Sequence, residues 1–488
     1  MSTGEPVLTN SPSHRISTDP AVRSEAEHLL RTVVDGGFCI GCGACVSASG
    51  GALQIEMDEF RMYRAKLSDT SSGEAFAPVY STCPFSGSAS TETELAEEIF
   101  TEAPQHHVAL GRWRQAYVGW VEQGELRANG SSGGFVTWAL EQYLQRGLID
   151  GVAHVGPHTP TADEPVLFNY TVSRSVEEIR SRAKSRYYPI ELSQVLEEIR
   201  TVPGRYAVVG IPCYVKAVRL LMRSDPVLRD RIKLCVALFC GHLKSAAMVD
   251  SFALQAGVEP ADVQGANFRL KQPTRRADTY TMELKLRDQR AITRDWWQMV
   301  DGDWGLGFFQ YRACNFCDDV TGELADIACG DAWVEPYSLD GRGTNVVVVR
   351  TAEAQRIMED GIRSGALAFK PVDGDFVART QTAGLRQRRE GLAYRLWKFR
   401  HGWLPRKRVA PDGRVATWWR RRIYDFRYWT SAASHRVFLF ARRHQKMALY
   451  IKWAKASRKL YRLLYTITGP APKTLPDIPL IRSPQLHD

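Results

Sequence analysis

RYAVVGIPCYVKAVRLLMR, residues 205–223, decides the fold class of this chain. Its first nine residues form an apolar run typical of a buried strand, and its last ten place apolar residues at helical spacing. A strand that passes directly into a helix is the building unit of α/β folds, because the helix covers one face of a parallel sheet. The stretch therefore predicts a strand–helix unit inside an α/β domain.

The same alternation continues on both sides of this unit. It predicts strands at 115–121, 150–156 and 233–240, and helices at 135–147, 176–200 and 244–256. Alternation of this kind predicts a largely parallel sheet. NFRLK, TYTMELKLR and TNVVVVR add later strands, for which antiparallel pairing is an option.

The composition is that of a globular protein. The 488 residues are 44% hydrophobic and 24% charged, enough for two or three domain cores. No apolar run is long enough to cross a bilayer, and residues 1–25 lack the apolar stretch of a secretory signal, so we expect a cytoplasmic protein. In that setting the ten cysteines favour metal ligation over a disulfide framework.

A first set of cysteines has the spacing of an iron–sulfur site. Cys39, Cys42 and Cys45 lie in FCIGCGACV, with glycines that permit tight turns between them, and Cys83 follows far downstream in TCPF. We expect Cys83 to close the same cluster. Zinc is the alternative, since four thiolates also suit it, but zinc sites usually pair two CxxC knuckles. The set predicts an iron–sulfur cluster and therefore electron transfer.

A second set is less specific. Cys213 and Cys240 lie where predicted strands end, which is where ligands collect in α/β folds. Cys314 and Cys317 in CNFC would complete a site, but buried free cysteines are also common core residues. The spacing alone leaves both interpretations open.

The two other downstream cysteines have different expectations. Cys235 is five residues before Cys240, and an odd separation on a strand points the two side chains to opposite faces, so Cys235 is expected in the core. Cys329, in IACGDAW, is a reserve ligand for the second site.

ANGSSGGF, residues 128–135, lies between a predicted strand and a predicted helix. Ser131, Ser132, Gly133 and Gly134 would place amides, hydroxyls and a helix N-terminus at one point, which favours a phosphate group. A simple helix cap explains the same turn equally well.

Eight motifs then occur in a fixed order: ANGSSGG, RGLIDGVAHVG, AKSRYYP, YAVVGIPCYVKAVRLL, LFCGH, NFRLK, CNFCDD and LADIACGDAW. Together they resemble the beta subunit of coenzyme F420 hydrogenase/dehydrogenase, whose relatives include ferredoxin-dependent 7-hydroxymethyl chlorophyll a reductase. The resemblance spans roughly residues 35–380. It implies a flavoprotein that holds FAD beside 4Fe-4S clusters, two in this chain, and exchanges electrons with coenzyme F420 or ferredoxin.

The resemblance also assigns residues. It makes flavin-binding candidates of residues 131–134 and of Lys184, Ser185, Arg186 and Tyr187, and it places the second cluster on Cys213, Cys240, Cys314 and Cys317. Two positions depart from the family pattern: Ile211 replaces a frequent Thr, and Gly241-His242 replaces His-Gly.

Chemical roles follow for four side chains near a flavin. Lys184 or Arg186 can stabilise an anionic reduced flavin, and Tyr187 or His242 can deliver a proton, so Lys184, Tyr187 and His242 are the catalytic candidates. Asp331 in CGDAW can orient the cofactor or simply cap a loop. All have ordinary structural interpretations as well.

The C-terminal segment is strongly basic. Residues 386–465 contain 23 Lys or Arg against three acids, interleaved with aromatic residues. An amphipathic helix is predicted from the spacing of Val437, Phe440, Met447, Ile451, Ala454 and Tyr461. Such a helix suits packing on the protein's own acidic body or a peripheral position on an anionic membrane surface. Nucleic acid is the least favoured partner, although basic–aromatic interleaving can stack bases.

The predicted organisation is α/β (α+β mixed). It comprises a disordered N-terminus (1–30), a ferredoxin-like iron–sulfur segment (31–110), an α/β flavin-binding core (111–385) and a mostly helical basic extension (386–488). The favoured function is an iron–sulfur flavoprotein oxidoreductase that acts on an organic substrate with F420 or ferredoxin as electron partner. The alternatives are a non-catalytic electron-transfer subunit and, less favoured, a zinc-dependent nucleic-acid-binding protein.

Overall fold

The computed structural model describes residues 20–69, 75–469 and 480. Helix α1 (Pro20–Leu29) continues as a short π-helix over Leu30–Val34. Ordered structure therefore begins inside the tail predicted to be disordered; residues 1–19 of that tail lie outside the described residues.

Short elements surround the first cysteine set. They are α2 (Ala44–Ala48), β1 (Leu53–Met57), β2 (Tyr63–Leu67), α3 (Val79–Thr82), α4 (Glu92–Ile99), β3 (Gln105–His107) and β4 (Gly111–Trp113). Strands β1 and β2 form one antiparallel pair, and β3 and β4 form another. Helix α4 begins at a capping box of Thr91 and Glu94, which satisfies two free backbone amides.

The central region alternates strands and helices. In chain order its elements are β5 (Gln115–Val121), α5 (Leu126–Asn129), α6 (Phe135–Gln145), β6 (Gly151–Pro157), β7 (Phe168–Ser173), α7 (Val176–Ser181), α8 (Ser193–Thr201), β8 (Tyr206–Gly210), α9 (Pro212–Ser224), α10 (Pro226–Arg231), β9 (Ile232–Leu238), α11 (Ala247–Gln255), β10 (Val263–Leu270), β11 (Thr281–Leu286), β12 (Ala291–Asp295), β13 (Ile327–Asp331), β14 (Asn345–Val349), α12 (Ala352–Arg363) and β15 (Leu367–Val372). The mixed α/β prediction is confirmed.

Eight of these strands form one sheet, in the order β15-β5-β14-β13-β9-β8-β6-β7. The contiguous strands β13, β9, β8 and β6 are parallel, and the four remaining pairings are antiparallel. The prediction of a largely parallel sheet is therefore wrong at both ends. No α-helix separates β6 from β7 or β13 from β14, and parallel pairing requires a crossover of that kind.

The helix predicted over 176–200 is two helices. Residues 182–192 form a loop between α7 and α8, and Pro189 within it removes a backbone donor and restricts the residue before it. Cys213 lies in the first turn of α9, after Pro212 at a first-turn position of that helix, which suits proline's fixed φ. It is therefore at the start of a helix, not at the end of a strand.

Strands β10, β11 and β12 form a separate antiparallel sheet, so the antiparallel option for NFRLK and TYTMELKLR is confirmed. This small sheet shares a hydrophobic core with α11 and with the C-terminal helices. The two sheets and these helices enclose the cavities described below.

The remaining helices are α13 (Gly374–Thr380), α14 (Thr382–Arg388), α15 (Glu390–Lys398), α16 (Trp418–Arg443) and α17 (Met447–Thr468). The single helix predicted over Val437–Tyr461 is thus a hairpin, broken where Gln445 takes a φ of +55°. Phe438, Tyr450 and Tyr461 are buried, whereas Phe440, assigned to the apolar face, is exposed. Across the described residues, no helix is both long and apolar enough to cross a membrane.

Candidate functional site

The first four cysteines meet beside α2. Cys39, Cys42, Cys45 and Cys83 line one small cavity together with Gly41 and Gly43. Both glycines have positive φ, +65° and +79°. A Cβ on Gly41 would lie 2.4 Å from the Tyr63 carbonyl oxygen, so the loop that presents these thiols requires glycine there.

The environment of these thiols suits a positively charged metal centre. Burial raises the pKa of Cys42 and Cys45 far above the usual thiol range and that of Cys83 to about 12. Neighbouring thiolates raise these pKa values further. Thiolates crowded into a buried site need a cation to be stable, and a metal cluster supplies one. The donor set therefore fits an iron–sulfur cluster.

The second cysteine set also converges. Burial raises the pKa of Cys213, and the thiolates of Cys317, Cys240 and Cys314 raise it further, so the four side chains lie close together. The pKa of Cys314 is raised to about 11 by burial. The backbone N–H of Leu243 donates to Cys314 Sγ at 3.2 Å, a contact typical of sulfur ligands.

The two thiol sets are neighbours. Cys42 of the first set contributes to the raised pKa of Cys213 in the second. Burial raises the pKa of Tyr170 and of Tyr214, and the negative charges of the Cys42 and Cys213 thiolates raise both pKa values further. The Tyr214 hydroxyl donates to the Ile190 carbonyl at 2.5 Å, which fixes this ring between the sets.

Neither set has the geometry of a single-ion site. Within residues 20–69 and 75–469, no group of three or more His, Cys, Asp or Glu is arranged to hold one metal ion. Cys235 lies in the core on β9, as predicted, and Cys329 lies on β13 in the wall of a different cavity.

That second space, here called the inner cavity, brings the predicted flavin residues together. Its wall includes Ser131, Ser132, Gly134, Lys184, Ser185, Arg186, Tyr187, His242 and Asp331. Gly133 lies behind the wall, where a Cβ would come within 2.7 Å of Asn345 Oδ1. Cys240 of the second thiol set also lines it, so a molecule in the inner cavity would touch that set directly.

The Ser-Gly turn opens the inner cavity at the start of α6. Gly134 is the N-cap of this helix with φ of +87°, and Phe135 N–H donates to Asn345 Oδ1 at 3.1 Å. The Ser185 N–H donates to Ser131 Oγ at 2.7 Å, which joins the turn to the 182–192 loop. The Ser-Gly turn, the 182–192 loop and the N-terminus of α6 thus border the same part of the inner cavity, and this arrangement suits a phosphate group.

Three cations, Lys184, Arg186 and Lys271, gather at this turn. Lys184 has a φ of +123°, a conformation that non-glycine residues hold only when their surroundings impose it. Burial and then Arg186 lower the pKa of Lys184, and burial followed by Lys184 lowers that of Lys271 to about 7. Lys271 Nζ donates to the Ser132 carbonyl at 2.6 Å. A bound anion would relieve this repulsion.

The opposite end of the inner cavity carries aromatic and acid–base groups. His242 stacks on Trp304 with ring centroids 4.2 Å apart, and its buried Nε2 has no hydrogen-bond partner within the described chain. Burial, with Lys244, lowers the pKa of His242 well below its usual value, so the imidazole is neutral. Asp331 forms a bidentate pair with Arg269, at 2.9 and 3.0 Å. Burial raises the pKa of Tyr187, which therefore keeps its proton.

Sequence reasoning missed several of these groups. Arg269 and Lys271 alternate in NFRLK, and that period of two was a signal that they share a strand face. Lys244, Trp304 and Arg388 gave no local signal, because folding alone brings them to the site.

Arg388 is the clearest of these omissions. Burial alone lowers its pKa, but the thiolates of Cys317, Cys314, Cys240 and Cys213 more than compensate and raise it. Its Nη1 donates to the Cys314 carbonyl at 2.5 Å, and Nη2 donates to the Gly241 carbonyl. One buried guanidinium thus faces the whole second thiol set.

Two sequence models of one family match the region that builds the inner cavity. The model for the N-terminal part of the coenzyme F420 hydrogenase/dehydrogenase beta subunit matches residues 116–197, and the model for its C-terminal part matches residues 204–375. Together they cover just over half of the chain. The first thiol set and helices α14–α17 lie outside both.

Curated relatives agree with this match. An uncharacterised protein of Methanocaldococcus jannaschii is 25% identical over 251 residues, 49% of this chain and 62% of that protein. The coenzyme F420-dependent sulfite reductase of the same organism is 22% identical over 345 residues, 68% of this chain and 47% of the reductase. The coenzyme F420 hydrogenase subunit beta of Methanococcus voltae is 24% identical over 282 residues, 54% of this chain and 86% of that subunit.

The chain thus spans less than two thirds of the length of the first two relatives. The family matches are distributed over the sheet, the Ser-Gly turn and the second thiol set, in the order in which the eight sequence motifs occur. The resemblance inferred from those motifs is confirmed, and this chain belongs to the coenzyme F420 hydrogenase/dehydrogenase beta subunit family.

Proposed function

We propose that this protein is an iron–sulfur flavoprotein oxidoreductase that passes electrons between coenzyme F420 and an organic substrate through two 4Fe-4S clusters and FAD. One observation carries the proposal: the three candidate redox sites are contiguous. Cys42 is near enough to Cys213 to help raise the pKa of Cys213, and Cys240 of the second set lines the inner cavity. Contiguous sites permit electrons to pass from one to the next without a mobile carrier.

The chain's own residues suit FAD at the inner cavity. The Ser-Gly turn and the N-terminus of α6 would hold its pyrophosphate, and Lys184, Arg186 and Lys271 would balance the charge. Bound there, FAD would convert between two-electron hydride transfer and one-electron transfer to the clusters. Ile211, which also lines the cavity, supports the ring by apolar contact alone where a threonine would add a hydroxyl.

Proton handling belongs to Tyr187 and His242 in this proposal. Tyr187 keeps its phenolic proton and can donate a hydrogen bond into the cavity, while neutral His242 presents a free Nε2 that can accept one. Lys184 acts by charge at the turn end. The Arg269–Asp331 ion pair forms part of the wall of the inner cavity.

A non-catalytic electron-transfer subunit is the second candidate. The matched hydrogenase protein is itself called a subunit, and the matched region is less than half of the sulfite reductase. In that case the organic substrate is handled by another protein, and ferredoxin or a partner subunit replaces it as the electron acceptor.

The C-terminal hairpin supports a further part of the proposal, a cytoplasmic protein held peripherally at an anionic membrane surface. Trp418, Trp419 and Trp429 of α16 are exposed, as are Leu460 and Leu463 of α17, among many basic side chains. Amphipathic surfaces of this kind lie in the headgroup region of anionic bilayers. Flotation with vesicles containing phosphatidylserine tests it, and recovery of the protein with the unbound fraction removes this part of the proposal.

The central test is anaerobic purification followed by metal and flavin analysis. We expect about eight irons, four for each cube, and one FAD per chain. Reduced F420 should then reduce the bound chromophores of the isolated chain and, through them, an artificial dye. Loaded protein that reacts with F420 but only in the presence of a partner supports the second candidate. Protein free of both iron and flavin overturns the proposal.

A further inference from the structure

A larger cavity of about 780 Å³ lies beside the inner cavity. The two share Tyr187, His242, Trp304 and Asp331, so a molecule in the larger one reaches the same groups from the other side. Its far wall is formed by residues of α14–α17, which lie outside both family matches. We call it the arginine cavity.

Seven arginines and three aspartates line this cavity. The aspartates are already engaged: Asp331 pairs with Arg269, Asp278 pairs with Arg276, and Asp303 Oδ1 accepts the Gly305 N–H at 2.8 Å. The lining therefore has a large excess of positive charge that its own acids do not balance.

Four of the lining arginines lie on α16 and α17, and three of these four have no carboxylate partner among the described residues. Arg427 donates to the Tyr461 hydroxyl at 3.3 Å, and Arg458 donates to the Met299 carbonyl at 3.2 Å. In the described part of the chain, the Arg462 side chain makes no hydrogen bond or ion pair. Arg458 and Arg462 are one turn apart on α17, which places both guanidinium groups on the same face.

A second observation points to a ligand. His242 is only 6% exposed, lines the cavity, and leaves Nε2 without a partner in the described structure, although such groups are nearly always satisfied. Trp297 and Tyr465 are exposed at the cavity wall, where they would pack against a ring or an apolar chain. Cations, aromatic side chains and an unpaired imidazole nitrogen thus surround one space.

We infer that the arginine cavity binds the organic substrate, and that this substrate is a small molecule carrying a phosphate or pyrophosphate group. The charged group lies against Arg427, Arg458 and Arg462, since guanidinium groups match phosphate oxygens in geometry and charge. The part that exchanges electrons points toward His242 and Trp304. Because its far wall is outside the family matches, the cavity serves a ligand particular to this chain, distinct from F420. The inference rests on the proposed function for its redox role only.

Inorganic pyrophosphate is the probe for this site, titrated into the loaded full-length protein by calorimetry. We expect one site per chain, and at least tenfold weaker binding in the double variant Arg458→Gln, Arg462→Gln. The matched control is Lys455→Gln, Lys459→Gln, which removes two exposed charges from the same helix. It should bind like the unmodified protein. Equal loss in both variants, or no loss in either, overturns the inference.

The electron-partner reaction separates the inference from the proposed function. Oxidation of reduced F420 with a dye should have the same KM in the Arg458/Arg462 variant as in the unmodified protein, and pyrophosphate should not compete with F420. Competition, or a raised KM for F420, would assign the cavity to F420 and overturn the inference. Failure of the unmodified protein to react with F420 would count against the proposed function while the pyrophosphate result still decides the site.

Discussion

Arg388 brings a permanent positive charge to the second thiol set from a segment that the family match does not include. A cation beside a cluster stabilises its more negative, reduced form. We expect Arg388→Gln to lower the reduction potential of that cluster by on the order of 50–100 mV, the effect of one charge at an effective dielectric constant of about 20. A redox titration followed by electron paramagnetic resonance measures it. Arg388→Lys keeps the charge and should stay near the original potential; equal shifts in both variants would contradict the electrostatic explanation.

Gly41 tests the first thiol set. A Cβ there meets the Tyr63 carbonyl oxygen at 2.4 Å, and φ is +65°. Gly41→Ala should therefore displace the ligand loop and reduce the iron content by about half, as one of two cubes is lost. Gly124→Ala is the matched control, because its φ is +57° with no atom within 4 Å of the added Cβ. It should cost about 1 kcal/mol in stability yet retain all iron. Full iron in Gly41→Ala would show that the loop adapts.

Lys271 predicts a pH dependence of flavin binding. Its pKa is lowered to about 7, first by burial and then by Lys184 and Arg127, so the ammonium is lost as the pH rises through 7. The pyrophosphate of FAD at the Ser-Gly turn favours the charged form of Lys271. The affinity for FAD should therefore fall as the pH rises above 7, by at most about tenfold per pH unit. Ultrafiltration and flavin fluorescence between pH 6 and 9 measure this. Lys271→Arg keeps its charge and should show a flatter profile; affinity that rises with pH in the unmodified protein would contradict the assignment.

The convergence of the first thiol set could be predicted from the sequence because the spacing of its first three cysteines is local, but the neighbours of the second set could not. Cys39, Cys42 and Cys45 lie close together in the sequence, so their two-residue intervals are sufficient to recognise them as one set. Arg388 is 71 residues beyond Cys317, and only the fold of α14 brings it back to the second thiol set. The spacing of Arg388 and Cys317 along the sequence does not show that they are close in space.

Among the elements, those with strong periodicity were predicted well. The strand at 115–121 was predicted with its observed bounds, and the predicted helix at 135–147 was observed as α6. The helix predicted over 176–200 was wrong because Pro189 disfavours a continuous helix between α7 and α8, and the loop between them carries Lys184 and Tyr187 to the inner cavity. The sheet failed at its ends because pairing direction depends on connections, which hydrophobic pattern does not encode.

The break between α16 and α17 gives a prediction at this scale. Gln445 has a φ of +55° in the turn of the hairpin, a conformation that glycine adopts without a steric penalty. Gln445→Gly should therefore raise the free energy of unfolding by about 0.5–1 kcal/mol. Thermal and urea unfolding of the loaded protein measure the change. Gln445→Ala should give no gain, and destabilisation by the glycine variant would mean that the Gln445 side chain contributes more than its backbone costs.

At the scale of the whole molecule, a buried ionic network joins the N-terminal segment that holds the first thiol set, the core and the basic extension. Arg408 donates to Glu323 Oε2 at 2.7 Å and lies 3.4 Å from Asp318 Oδ2 and 3.8 Å from Glu92 Oε2. Lys216 pairs with Glu92 at 3.2 Å. Arg408 of the extension thus has a structural role, whereas the arginines proposed to hold the substrate phosphate lie on the later helices α16 and α17.

This network links the extension to the second thiol set, because Asp318 and Glu323 follow closely after Cys317. Burial raises the pKa of Glu323, but Arg408, with Arg389 and Arg350, more than compensates and holds that pKa below the usual range, so Glu323 is charged. Arg408→Met should remove a cation that three buried carboxylates share and destabilise the protein by about 3–5 kcal/mol, with loss of iron from the second site. Adding Glu323→Gln removes one of the carboxylate charges that Arg408 balanced and should recover part of that stability. Urea unfolding and iron content of the two single variants and the double variant form the cycle; strictly additive effects would show that the two groups do not depend on each other.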